Sequence, residues 1–490
     1  MTVKGSTRTM NGISEALARF ELQASPQTAS LLLHVLVIGG GTTGLAAAYA
    51  IRQAGHTVHV LEARPGLEED HNCAYIPPNL WHVLDKWGLH DKLMERSSRV
   101  ASMTFKAAAT GDTLTHMRWH EGMIQDSGSP MHRIFRSDLR DIMYETAISA
   151  GVEVSFNSKV VGVDLDGPCV ILENGDILDA DLIVGADGAN GAIRRVVLNS
   201  NADPPPEPVS YYRGVLQKDI LLKDPLFANH PEDEIISWLH PGMFASLVPG
   251  GPNNSYFSLE CLRRLGSSES LLDFDPLSLR EQVLREHEGC EPQLRRAIEL
   301  MEEIQKVVEA DRKSLTEWSH ETGRLVCVGS ACHPMTFPAA QDCALAAEDA
   351  VVLGNFLSRV TALEQLPYLL DAYEEVRQFR CEVVVGRETI QRQLMVGNPG
   401  STDMQPPAST PDDLQEGFSQ GTYDWQDGAP TFLHDALGEA ELWWQHWGQL
   451  LGGPRHEAYS TEESEFEFSD PGSRKQSLVV EYSIAVEHHQ

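Results

Sequence analysis

The sequence predicts an α/β fold: a Rossmann-like domain, interrupted by an inserted antiparallel-sheet domain and followed by a helical C-terminal extension. Three observations predict it. Residues 34–63 read as strand, glycine turn, helix, strand. Two further short apolar runs, around 182–188 and 323–331, end in glycine turns and supply more strands of a parallel sheet. Between those runs the texture changes to short alternating stretches separated by turns, the pattern of antiparallel strands.

The elements follow in order. Residues 1–30 are polar and rich in Ser and Thr, which predicts a loose leader. HVLVIGG then gives a buried strand, and GTTGLAAAYAIRQAG gives a helix, with Leu45, Ala48, Ile51 and Arg52 at helical spacing and Gly55 as the stop. HTVHVLEA returns as a strand and closes a βαβ unit. Residues 31–200 form the first part of the cofactor domain. The proline-rich NADPPPEPVS at 201–210 marks a linker, and EIISWL, FASLVPGG and SYFSLECL read as strands of the insert, 201–317. Residues 277–304 read as one helical stretch. Residues 318–395 complete the first domain, the strand GRLVCVGSA leading into the helix AAEDAVVLGNFLSRV. Residues 396–490 hold a linker, a Trp-rich helix candidate (FLHDALGEAELWWQHW) and, from Glu457, an acidic tail expected to be disordered.

Composition narrows the function. The chain has 490 residues and a formal charge of −33. Such a surface repels phosphate backbones and anionic lipid, so nucleic acid and acidic membranes are excluded as expected partners. No stretch approaches the ~20 apolar residues of a spanning helix, and the N-terminus lacks the apolar core of a signal peptide. The eight cysteines are scattered without a C-x-x-C pair, which reads as reduced, mostly buried thiols in a cytoplasmic protein, with no metal site.

The first chemical signal is Gly39-x-Gly41-x-x-Gly44 between strand and helix, with Glu62 closing the next strand. The first glycine makes the tight turn, the second lets backbone approach a pyrophosphate, and the third allows close helix–strand packing. The helix N-terminus offers unpaired N–H groups to the phosphates. A carboxylate at Glu62 can take both ribose hydroxyls. This pattern fits NAD or FAD equally.

Two later segments separate them. Asp181-LIVGADGANGAIRR resembles the D-x-x-x-G-A-D-G-x-x-S-x-x-R segment of single-component flavin monooxygenases, and residues 329–350 resemble the same family's G-D-A-x-H-P…A-Q-G…E-D-A segment. IPPN at 76–79, Arg136-SDL, YYRGV at 211–215 and Trp318 match in order and spacing. The subgroup most resembled is the salicylate-hydroxylase-like aromatic hydroxylases, common in fungal secondary metabolism.

The resemblance implies an FAD cofactor and NAD(P)H as transient co-substrate, since there is one dinucleotide pattern only. It implies O2 addition to give a peroxyflavin, and transfer of one oxygen to a small aromatic or polyene natural-product-like substrate. Oligomeric state is expected to be monomer or weak dimer. Glu62 would hold the adenosine ribose and Arg136 the region of the pyrophosphate and ribityl chain. Asp187 would lie beside the phosphates. His333 and Pro334 would belong to the loop leading under the flavin ring. The N–H groups of Asp342 and Cys343 would face the flavin's pyrimidine edge, where a helix N-terminus stabilises negative charge. Arg213 matches an arginine that relatives use to orient or deprotonate a phenol, and Val248 stands where its tyrosine partner often lies.

The departures matter. Ser330 replaces an aspartate that bonds a ribityl hydroxyl. Asp342 replaces a glycine, where a carboxylate would oppose an anionic reduced flavin or else cap the following helix and point away. His71 and Cys73 replace glycines and narrow the space beside the flavin. Ser330, Asp342 and the lost glycines at His71 and Cys73 motivate an alternative, a flavoprotein of this fold with a redox-silent role, cyclisation or rearrangement, or an impaired oxygenase. A non-catalytic scaffold recruiting a basic partner through the acidic tail is a third reading. Cys332 and Cys343 read as core residues, and Trp443, Trp444 and Trp447 as helix packing.

Overall fold

The strand His34–Ile38 sits at the centre of a five-stranded parallel sheet, and its last four residues are buried. The order is Leu325–Cys327, Leu182–Gly185, His34–Ile38, Thr57–Leu61, Glu153–Ser155. Being covered on both faces, Leu325–Cys327, Leu182–Gly185 and residues 35–38 are apolar without alternation, whereas Thr57–Leu61 alternates and the edge strand Glu153–Ser155 is partly exposed. The computed structural model describes residues 28–68, 72–119, 121–198, 207–251, 255–263, 277–396 and 425–448. The leader up to residue 27, His71, the proline-rich stretch 201–206 and the acidic tail lie outside the described residues.

Two helices pack over this sheet because small residues let them. Thr42–Gln53 places Ala46, Ala47 and Ala50 against Asp342–Leu357. A Cβ added to Gly354 would lie 2.9 Å from that of Ala50. The long helix Leu366–Val396 closes the same core with Leu369, Leu370 and Tyr373.

A seven-stranded sheet carries the second layer, in the order Glu302–Asp311, Glu207–Gln217, Tyr256–Arg263, Met243–Gly250, Glu234–His240, Ser102–Ala107, Thr113–Arg118. Its last two strands come from far upstream of residue 201, and Ser102–Ala107 pairs in parallel with Glu234–His240. Alternation splits the sheet's faces. Tyr212, Leu247, Leu259 and Trp238 pack under the helices Leu279–Glu286 and Pro292–Leu300, while Tyr211, Phe244, Ser246 and Glu260 point the other way.

The helical stretch expected over 277–304 is two helices and a strand. Gly289 takes φ +84°, Pro292 starts the second helix, and Glu291 caps it by accepting from Gln293 N–H. Ser278 and Glu281 form a capping box on the first. Glu302 already belongs to the edge strand, paired with Val215. The Trp-rich stretch does form a helix, Ala436–Trp447, and a first one, Trp425–Phe432, precedes it. The second is fastened to the core by Glu441 on Asn355 and Arg359, by Trp443 on Glu375, and by Arg359 over the Trp444 ring. Trp447 is exposed. Among the described residues no helix is long and apolar enough to cross a membrane.

Candidate active site

The glycine turn is fixed by contacts. Gly39 has φ +111°, and a Cβ there would lie 2.4 Å from the Ala186 carbonyl oxygen; one on Gly44 would lie 1.9 Å from that of Gly39. A Cβ on Gly41 would meet nothing within 4 Å, so this glycine faces open space. Gly41 caps the following helix without a side-chain bond, leaving the first N–H groups available. Glu62 sits against the turn, its carboxylate accepting from Gly40 N–H at 2.6 Å and Arg64 N–H at 2.9 Å.

Beside the helix start lies a cavity of about 110 Å³. Thr42, Thr43, Arg136, Ser330, Asp342 and Cys343 line it, so four separated stretches of sequence converge. Ser330 stands in the turn Gly329–Ala331, which presses so closely on the helix that a Gly329 Cβ would lie 2.5 Å from Thr43.

Arg136 donates to the Asp342 carboxylate and to Cys343 Sγ, the latter at 3.4 Å. Burial works against the Arg136 charge, but the Asp342 carboxylate outweighs it and holds the guanidinium pKa well above its usual value. Asp342 is therefore a charge already paired. Nor does it cap its helix: Gln341 is the capping residue, and Asp342 is the first helical one.

Around this pair, Arg136 Nε, Asp342 Oδ1, Gln341 Nε2 and Asn79 Oδ1 are buried without hydrogen-bond partners. Buried polar atoms seldom stay unpaired. An open glycine turn, free helix N–H groups and unpartnered donors and acceptors together fit a dinucleotide carrying phosphates and a polar ring edge.

Arg136 and Asp342 also line a second, smaller cavity of about 40 Å³, so the ion pair is the wall between the two. Its far side is aromatic, with Phe337 stacked on Tyr211 at 4.5 Å and tilted against Phe244 at 5.7 Å. Its floor is polar. Arg133 and Glu260, each 2% exposed, stand 4.0 Å apart, and the Arg133 guanidinium lies 3.7 Å over the Tyr75 ring. Burial pushes the Cys73, Cys332 and Cys343 thiols up to about 12, so they are neutral and not nucleophiles.

Behind the first cavity runs a buried charge network. Asp349 accepts from Gly329 N–H at 2.8 Å and Arg377 Nε at 2.9 Å, and bonds His333 Nε2 at 2.6 Å. Glu348 takes Asn79 at 2.8 Å, Arg377 at 2.9 Å and Arg380 at 3.2 Å. Burial would raise the Glu348 pKa, but Arg377, Arg380 and His434 bring it down to about 2.

Two carboxylates from outside the 335–341 loop hold it. Glu309 accepts from Phe337 N–H at 2.8 Å and Glu388 from Ala340 N–H at 3.0 Å. Burial, opposed by the Ala340 bond and aided by Asp342, pushes Glu388 from 4.5 up to about 7. A carboxyl raised in the fold stabilises it fully below its unfolded value, and that contribution is lost as pH rises to the folded value. Glu388→Gln is thus expected to gain thermal stability relative to the parent between pH 4.5 and about 7. Melting curves across that range check it; parallel curves would remove Glu388 as the titrating group.

Of the other sequence-predicted residues, Asp187, Pro334, Arg213 and Val248 do not line these cavities. The Asp187 carboxylate folds into its own turn, accepting from Ile193 N–H at 3.0 Å. Pro334 is buried next to His333. Arg213 donates to Gln305 at 3.0 Å and faces Glu260 across the strand pair. Val248 belongs to an apolar cluster with Val100, Met131 and Ile235. Cys73, expected beside the flavin, lines the second cavity. Sequence reasoning missed Arg133, Glu260 and Arg377, which no local spacing marks.

The chain is similar to known proteins over most of its length. The chain is 29% identical over 373 residues to "FAD-dependent monooxygenase OpS4" of Beauveria bassiana (strain ARSEF 2860), covering 74% of this chain and 84% of that one. It is 28% identical over 362 residues to "3-hydroxybenzoate 6-hydroxylase" of Polaromonas naphthalenivorans (strain CJ2), covering 72% and 86%. The structure of Klebsiella pneumoniae HpxO complexed with FAD and uric acid superposes with a TM-score of 0.68 at 21% identity, covering 86% of this chain and 100% of that one, which shows a shared fold. A family model described as an FAD binding domain matches residues 33–388, most of the chain and both halves of its parallel sheet, and the chain belongs to that family.

Proposed function

We propose that the protein is an FAD-dependent monooxygenase that draws electrons from NAD(P)H and places one atom of O2 on an aromatic or polyene small molecule. The observation that carries this reading is the pair of adjoining cavities. One opens on a glycine turn and helix N-terminus, the other is walled by aromatic rings, and a single ion pair divides them. Bound FAD supplies the electron transfer and oxygen chemistry, for which no side chain is equipped.

The chain's residues bind and orient. Gly39, Gly41 and Gly44 shape the phosphate turn, Glu62 takes the ribose, and Arg136, Ser330, Asp342 and Cys343 line the flavin's path, with Asp187 and Pro334 in the turns that flank it. Arg213, the expected substrate-orienting residue, stands outside the cavity lining and acts on the substrate side through Glu260, which it faces across the strand pair. Residues 31–200 and 318–395 carry the cofactor. Residues 201–317, with the strands at 102–118, carry the substrate. The redox-silent alternative rests on Ser330, Asp342 and the lost glycines, and the pairing of Asp342 by Arg136 removes one of those grounds. The reading includes a cytoplasmic protein, monomeric or weakly dimeric, in keeping with eight free cysteines of which seven are buried.

The test is the visible spectrum of the purified protein before and after anaerobic NADPH, then NADH. A flavin band that bleaches supports the reading; no flavin at all overturns it. Ser330→Asp restores a charged acceptor, worth about 0.5–2 kcal/mol more than a neutral one. The variant is expected to hold FAD roughly two- to thirtyfold tighter by fluorescence titration; unchanged affinity would remove Ser330 from the contact set.

A further inference from the structure

The second cavity contains a group that the proposed reaction does not by itself require. Glu260 lines it at 2% exposure, and its Oε1 has no hydrogen-bond partner. Its neighbours are only partly engaged, since Arg133 Nε, Arg136 Nε and Asp342 Oδ1 also have no hydrogen-bond partner. Glu309 is held by the Tyr211 hydroxyl and Phe337 N–H, Asp342 by Arg136, and Arg133 lies on the Tyr75 ring. The charges acting on Glu260 are Arg133, Arg213 and Arg136 against Glu309, with Asp342 on the same wall. Counting Glu260 itself, three cations meet three carboxylates, so the cavity has no cation to spare.

We propose that Glu260 selects the substrate by charge: its unpartnered Oε1 accepts a hydrogen bond from a hydroxyl on an uncharged ring, and the balanced cavity rejects aromatic carboxylates. This rests on the reading that the second cavity is the substrate side of a flavin monooxygenase. A buried acceptor without a partner discriminates strongly for a ligand that supplies the missing donor. A ligand carboxylate would instead add a fourth anion to three already balanced by three guanidiniums, the costly case for a buried charge, although the Arg133 Nε and Arg136 Nε donors have no hydrogen-bond partner. Burial pushes Glu260 up even with three arginines opposing it, so the site already resists negative charge. A ring needs more than the present space, and Met335 on the lining is the unbranched, adaptable side chain that can yield it. The name of the 3-hydroxybenzoate hydroxylase relative indicates a carboxylate substrate for that protein; the cavity here points to the opposite preference.

The test compares phenol with benzoate, rings of like size, by calorimetric titration of the protein as purified. Phenol is expected to bind at least tenfold tighter. Glu260→Gln is expected to weaken phenol about threefold and to tighten benzoate at least tenfold, because Arg133 loses its counter-charge. Glu260→Asp is expected to keep the parent's preference. Should the single Gln variant misfold, the neutral pair Arg133→Gln with Glu260→Gln leaves no buried charge alone, and its phenol-to-benzoate ratio is expected to fall toward one. Equal binding of both probes by the parent, binding of neither, or a variant that weakens both alike would overturn the proposal. Titration needs no turnover, so these outcomes are separate from a flavin that fails to bleach, which would instead overturn the monooxygenase reading.

Discussion

Arg377→Leu is expected to cost about 3–5 kcal/mol of stability, the usual penalty for removing one partner of a buried ion pair. The guanidinium is fully buried and serves two acids at once, donating to Asp349 Oδ1 and pairing with Glu348, both at 2.9 Å. Leucine would leave Asp349 with His333 and a backbone N–H, and Glu348 with Arg380 and Asn79. Both acids are in the core, so neither can recover its hydration. The loss also reaches the flavin wall, because Asp349 anchors Gly329 and hence the Ser330 turn. Urea unfolding at neutral pH measures the cost. Partial recovery in Arg377→Leu with Glu348→Gln would confirm stranded charge as its source. A loss below about 1 kcal/mol would mean that the network is not a structural tie.

The second large effect is at the glycine turn, where two substitutions separate structure from ligand. Gly44→Val places a Cβ 1.9 Å from the Gly39 carbonyl oxygen, so strand and helix must part. Overpacking of this kind costs about 1–3 kcal/mol or more, and the variant is expected to melt lower and to purify without flavin. Gly41→Ala meets no protein atom within 4 Å, and its φ of −74° suits any residue. Its stability is expected to stay within about 0.5 kcal/mol of the parent, while FAD affinity falls at least tenfold, since the methyl occupies the ligand's approach. Differential scanning fluorimetry and FAD titration read the two effects apart. Equal FAD affinity in Gly41→Ala would show that the phosphates do not pass there.

How much of this was legible depends on sequence separation. The glycines, the helix between them and Glu62 lie within 24 residues, and each role follows from local geometry. The helix expected over 277–304 failed where local signals were overruled. Gly289 and Pro292 break it, and the last turn goes instead to a strand because an edge at Glu207–Gln217 was available to pair.

At the site, the sequence named Arg136, Ser330, Asp342 and Cys343 by resemblance but gave Asp342 the wrong surroundings. Its partner is 206 residues away, and no pattern along the chain couples them. Arg133 and Glu260 lie on different sheets and met no motif, yet they set the charge of the second cavity.

By itself, then, the sequence determined the α/β architecture and the dinucleotide turn, because these depend on spacings of a few residues and on periodicity, and it pointed to FAD through the family resemblance of residues 181–195 and 329–350. The tertiary structure alone decided which buried charges neutralise which. Pairing energy depends on distance and burial, and both come from the packing of elements far apart in the chain.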